Sequence, residues 1–138
     1  KYPPKLPEHR KCNNDIKFGS KKITPQMFGL HHKNIQWIKV AESVNELAIE
    51  NTGLCSVEWE HKKYTLALFN EKIFACAYKC PHAGGILHEG YIDAMGNIVC
   101  PLHRYKYSLE NGRNVSGEGY YLKTYKAEVR EDGVYIAI

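Results

Sequence analysis

Cys80-Pro81-His82-Ala83-Gly84-Gly85 and Cys100-Pro101-Leu102-His103-Arg104 are the two stretches on which the reading of this 138-residue chain turns. Each follows a run of strand-forming residues, and each offers one thiol and one imidazole. The first pair is spaced C-x-H and the second C-x2-H, with seventeen residues between His82 and Cys100. Two thiolates and two imidazoles on short loops form a donor set for a metal.

Two donors separated by a single residue chelate one ion awkwardly but can straddle two. A two-iron, two-sulfide cluster with cysteines on one iron and histidines on the other accepts such a set, each loop giving one ligand to each iron. Cys80 and Cys100 would then hold one iron, and His82 and His103 the other. Pro81 and Pro101 stiffen the loops. Gly84 and Gly85 let the backbone pass close to the sulfurs, where a side chain would clash. Backbone N–H groups left free there can point at sulfur and tune its charge. Two other readings of these residues stay open at this point. One is a structural zinc, although Cys2His2 sites usually pair C-x2–4-C with H-x3–5-H. The other is a site without metal.

With the four donors, both prolines, the glycines and their order taken together, C-P-H-A-G-G-x-L-x-x-G followed by C-P-L-H resembles the Rieske-type ferredoxins and the Rieske domains of ring-hydroxylating oxygenases. The resemblance covers residues 36–138 and leaves 1–35 aside. It implies an all-β Rieske fold, with an antiparallel sandwich or barrel base and a small cluster-binding lobe inserted at about residues 79–109. It implies one [2Fe–2S] cluster per chain on Cys80, His82, Cys100 and His103. The implied function is one-electron transfer from a reductase to a terminal oxygenase, both docking at the His82/His103 tip.

The departures carry information. Gly85 and Leu102 stand where the respiratory branch of the family has two disulfide-forming cysteines. Tyr105 stands where that branch has a serine hydroxyl, whereas Tyr107 keeps its tyrosine. Gly84, Gly85, Leu102, Tyr105 and Tyr107 are thus expected around the cluster. Without the disulfide and the serine, the potential should lie below that of the respiratory branch, with Tyr107 offsetting part of the fall if its hydroxyl reaches a cysteine sulfur. The family's proline-rich covering loop corresponds to residues 116–121, which contain no proline. Arg104 and Lys106 are expected to form a basic rim for an acidic partner.

A Rieske oxygenase needs a second domain bearing an iron held by two histidines and a carboxylate. After residue 109 only closing strands are expected, so an electron carrier is anticipated and not an enzyme. Two alternatives from other classes remain. One is an interaction module like the small subunit of assimilatory nitrite reductases, which resembles this fold, often without the metal ligands. The other is a zinc-stapled structural domain.

Composition agrees with one globular domain: 43% hydrophobic and 25% charged residues are ordinary values. No apolar run approaches the roughly 20 residues needed to cross a bilayer, and no leader-like segment is visible. The net charge of +4, with basic residues in runs no longer than two, is not a nucleic-acid footprint. Neither nucleic acid nor membrane is expected as a partner. Cys12, Cys55 and Cys76 are left over, an odd number that suggests no disulfide framework, so a reducing, cytoplasmic setting is anticipated. Cys55 and Cys76 read as small buried hydrophobes, and Cys12 as an exposed thiol.

Residues 1–35, with Pro3, Pro4, Pro7 and Pro25, read as an extended arm, and His31-His32 within it as a solvated turn. Strands are expected over residues 36–41, 54–60, 64–69 and 72–78, with a tight turn at Asn70-Glu71. Further strands are expected over 97–100, 105–109, 122–130 and 134–138. Residues 42–47 read as a turn or short helical piece, 90–93 as a turn and 110–113 as a hairpin end. His88 reads as a surface residue or a neighbour of the cluster.

Overall fold

The computed structural model describes residues 34–49 and 51–138; the expected arm, with Cys12 and His31-His32, lies outside the described residues save for its last two positions. Ten strands form in the described residues: β1 (Trp37–Ala41), β2 (Leu54–Trp59), β3 (Lys62–Phe69), β4 (Lys72–Ala77), β5 (Tyr91–Ile92), β6 (Asn97–Val99), β7 (Lys106–Ser108), β8 (Thr124–Tyr125), β9 (Ala127–Arg130) and β10 (Gly133–Ala137). They make three antiparallel sheets, ordered β1-β10-β9, β2-β3-β4-β8 and β5-β6-β7. The all-β class is as expected. No helix among the described residues is long and apolar enough to cross a membrane.

The four-stranded sheet is the middle layer, and alternation along its strands feeds two cores. Cys55, Val57, Tyr64, Leu66, Ile73 and Ala75 face the β1-β10-β9 sheet and meet Ile38, Val40, Val134 and Ile136. Leu54, Ala67 and Cys76 face the other way and meet Leu87, Ile98, Tyr107, Leu109 and Leu122. A strand buried on both faces cannot alternate apolar with polar residues. This accounts for the unbroken run Tyr64–Ala67, buried throughout. Burial pushes the Cys76 thiol up to about 12, so it is inert, as its apolar surroundings suggested.

The β2-β3 and β3-β4 connections are two-residue turns at Glu60-His61 and Asn70-Glu71, with φ of 46°, 65°, 47° and 63°. Paired positive φ values give the turn whose twist matches that of the flanking strands. The first turn is tighter than expected and carries Lys62 and Lys63 into β3.

Two expectations need correction. Residues 122–130 are not one strand. Thr124 and Tyr125 pair with Cys76 and Ala75 of β4, whereas Ala127–Arg130 pair with β10. The chain changes sheets at Lys126, because one extended segment closes the edges of two differently oriented sheets. Residues 90–93 are not only a turn either. Tyr91 and Ile92 pair with Val99 and Ile98, and the turn proper begins at Asp93.

Asp93 organises that turn. Its Oδ1 accepts from the N–H of Met95 (3.0 Å) and of Asn97 (3.0 Å), and Oδ2 accepts from Asn97 Nδ2 (3.2 Å). Lys106 Nζ lies 3.4 Å from the same Oδ2. Burial alone would raise the carboxyl, but these donors together hold it below its usual value. A depressed folded-state value stabilises the fold at pH above the unfolded value near 4, and the gain disappears as pH falls through the folded value. Replacing Asp93 with Ala should cost about 2 kcal/mol near pH 7. In thermal or urea denaturation the gap between the two proteins should close below about pH 4.

Candidate metal centre

The two cysteines end strands of the layer boundary and bury their sulfurs in the core between the middle sheet and β5-β6-β7. Cys80 follows β4 by way of Tyr78 and Lys79, and Cys100 follows β6 directly. The loops after them share one hydrogen-bond pattern. Cys80 N–H donates to Gly85 O (2.8 Å) and Gly84 N–H to Cys80 O (3.0 Å); Cys100 N–H donates to Tyr105 O (2.9 Å) and Arg104 N–H to Cys100 O (2.9 Å). Both loops close through a left-handed residue at the fourth position after cysteine, Gly84 (φ 73°) and Arg104 (φ 61°). Left-handed backbone costs a non-glycine residue about 1–2 kcal/mol, so Arg104 carries strain that Gly84 does not.

The loops hold unlike donors at unlike depths. Cys80 and Cys100 are buried, His82 is half-buried and His103 is exposed. The two sulfurs are neighbours: burial first, and then Cys80, push the Cys100 thiol up, while the N–H groups of Leu102 and His103 pull it down. The two rings are also neighbours, with centroids 4.8 Å apart. Thiol beside thiol and ring beside ring is the pairing a two-iron cluster needs, with each pair serving one iron.

The glycines differ in their reasons. A Cβ on Gly85 would stand 2.6 Å from Cys100 Sγ and 3.0 Å from Leu102 Cβ. Close approach to sulfur therefore explains Gly85, as expected. A Cβ on Gly84 would meet nothing within 4 Å, so its positive φ, and not crowding, requires glycine there. Gly85 and Leu102 also face each other across the site. In this chain the loops are joined there by packing and not by a covalent bridge.

The two tyrosines divide the surroundings. Tyr107, fully buried, places its Oη 3.3 Å from Cys80 Sγ. The hydroxyl does reach a sulfur, and against a thiolate it is the donor. Burial, and then Cys80, hold the Tyr107 phenol well above its ordinary value, so it stays protonated. Tyr105, in place of the serine, stacks on His82 with centroids 4.2 Å apart and 24° between the planes. Tyr120 approaches the same ring at 5.2 Å. Residues 116–121 therefore do reach the site without proline, through a tyrosine whose contact no sequence signal announced.

Comparison with known proteins agrees with this geometry. Residues 36–126 match the model of the Rieske [2Fe-2S] domain. The chain belongs to that family. Its cofactor is the one [2Fe–2S] cluster for which the family is named, and the donor set of two buried thiols and two imidazoles fits it. The 3-phenylpropionate/cinnamic acid dioxygenase ferredoxin subunit of Photorhabdus laumondii is 30% identical over 76 residues, covering 53% of this chain and 72% of the relative. Among solved structures, the ferredoxin of carbazole 1,9a-dioxygenase from Nocardioides aromaticivorans IC177 aligns with TM-score 0.63 at 16% identity, over 73% of this chain and 96% of that one. A protein of Mycobacterium tuberculosis described as an NADH-dependent nitrite reductase small subunit aligns with TM-score 0.64 at 17% identity, over 75% and 96%. At such identities the structures show a shared Rieske fold and nothing finer.

One expectation about the rim changes. Lys106 pairs with Asp93 at 3.4 Å, whereas Arg104 is exposed next to His103. His88 stacks on Tyr78 at 5.5 Å on the short 3-10 turn Leu87–Glu89, half-buried beside the first loop.

The glycine contrast is testable. Gly85→Ala should lose most bound iron, because the added methyl and Cys100 Sγ compete for one place. Gly84→Ala should keep the iron and lower stability by about 1 kcal/mol through backbone strain. Iron and acid-labile sulfide per chain, with urea unfolding, separate the two effects.

Proposed function

We propose that this chain is a one-electron carrier whose cluster is held by Cys80 and Cys100 on one iron and by His82 and His103 on the other. The observation that carries the reading is the paired donor set: neighbouring sulfurs inside an apolar core and neighbouring imidazoles at the surface. When bound, the cluster supplies the chemistry by accepting one electron and giving it up again. The chain supplies everything else. The core excludes water from the sulfur end. Loop N–H groups and the Tyr107 hydroxyl donate to sulfur and so favour the reduced, more negative state. Neutral imidazole in place of thiolate lowers the negative charge further. The exposed edge of His103 gives a partner close approach.

The donor would be a reductase and the acceptor a terminal oxygenase, docking at the His82/His103 tip. The relative described as a dioxygenase ferredoxin subunit supports this assignment. It also supports a carrier in place of a catalyst. The structural likeness to a nitrite reductase small subunit is as good as that to the ferredoxins, so fold alone does not choose between them. The four donors favour the carrier, since a pure interaction module has no need of them.

Anaerobically purified protein should be red-brown, with two irons and two sulfides per chain. After dithionite reduction it should give a rhombic EPR signal whose average g lies below the free-electron value. A colourless protein with one zinc, or none, even after iron–sulfur reconstitution, would overturn the reading. Tyr107→Phe should lower the midpoint potential in voltammetry; an unchanged potential would mean that the hydroxyl does not act on the sulfur.

A further inference from the structure

Asn114 sits just beyond the hairpin that follows β7, bridged to Tyr107 across that hairpin. Its Oδ1 accepts three hydrogen bonds from the loop covering His82: from Ser116 N–H (2.9 Å), Ser116 Oγ–H (3.1 Å) and Glu118 N–H (3.3 Å). Three donors on one atom settle which end of the amide is oxygen. The NH2 group must point the other way. There Nδ2 is buried and completes no hydrogen bond. A buried amide donor left so is rare enough to need a reason.

Asn114 is paired with Tyr107 across the hairpin. Burial pushes the Tyr107 phenol up, and the Asn114 amide, acting on it as a hydrogen-bond donor does, pulls it down. A hydroxyl has one proton and two lone pairs. Tyr107 Oη has Cys80 Sγ 3.3 Å away and, being fully buried, no access to water. Its proton can reach the sulfur only if it is not directed elsewhere. With an Asn114 N–H on an Oη lone pair, the Tyr107 proton is left with Sγ as its acceptor.

We propose that Asn114 is a positioning residue: its amide N–H aims the Tyr107 hydroxyl at Cys80 Sγ and so raises the reduction potential from outside the ligand loops. The inference rests on the electron-carrier reading above and adds a residue that never touches a donor atom. Successive donors in such a chain polarise one another, so the two residues act as one unit on the sulfur. The same side chain also holds the covering loop that presents Tyr120 to His82, which ties that loop to the charge on the sulfur.

The test is a double-mutant cycle on the iron-loaded protein, reading midpoint potential by voltammetry. Asn114→Ala should lower the potential in the native background and leave it unchanged when Tyr107→Phe is already present. Ser116→Ala, which loosens the loop but leaves Nδ2 alone, should not move it. An equal fall in both backgrounds, no fall in the native one, or an equal fall with Ser116→Ala would overturn the proposal. Should Asn114→Ala not fold, Asn114→Asp keeps the Oδ1 contacts and removes the donor. Its shift should be larger with Tyr107 present than with Tyr107→Phe, and equal shifts would overturn the proposal. If iron and sulfide are absent from the unmutated protein, the carrier reading itself falls, a result separate from any of these.

Discussion

Two sulfurs must sit in an apolar core while two imidazoles, a few residues away on the same loops, must reach the surface. Much of the described structure answers that demand. The middle sheet is buried on both faces, so it can serve one core that stabilises the domain and a second core that receives Cys80 and Cys100. The small sheet β5-β6-β7 closes the second core, and Tyr107 and Ile98 are fully buried in it. A thiolate in such a place keeps its charge only by metal ligation and by donors aimed at it. The Leu102 and His103 N–H groups and the Tyr107 hydroxyl are those donors.

The loops meet the same geometric problem twice with different residues. Each reverses direction through a hydrogen bond from the fourth residue back to cysteine and a left-handed backbone at that residue. In the first loop glycine takes that conformation without strain; in the second, arginine takes it and keeps its charge exposed beside His103. Histidine sits two residues after Cys80 and three after Cys100, so similar backbones deliver the rings to adjoining positions. His82 ends up enclosed by Tyr105 and Tyr120, whereas His103 stays open. The two imidazoles therefore differ in surroundings, although the motif presents them as a pair.

Strand patterns, turn residues and the two Cys/His loops made the all-β class, most strands and the candidate donors legible. They could be read because they depend on local periodicity and on residues that are near in sequence. Other features were hidden for physical reasons. The break at Lys126 leaves no mark, since both halves of residues 122–130 are extended and only their pairing partners differ. The short β5 pairing was masked by Gly90 and Asp93, which read as a turn. The pairing of Lys106 with Asp93 needs two strands side by side. Asn114 and Ser116 do form a local polar turn pattern, but nothing in it says that the other end of the amide faces Tyr107.

What the amino-acid sequence determined by itself was the chemistry on offer: two thiols, two imidazoles, loops short and stiff enough to present them, and a tyrosine within reach. Those are properties of residue type and spacing. Tertiary structure decided which atoms meet. It put sulfur beside sulfur and ring beside ring, set Gly85 against Cys100, stacked Tyr105 on His82 and brought the Tyr107 hydroxyl to Cys80. Each of these contacts joins segments brought together by sheet pairing and core packing, interactions whose partners are chosen by the whole fold and not by neighbours along the chain.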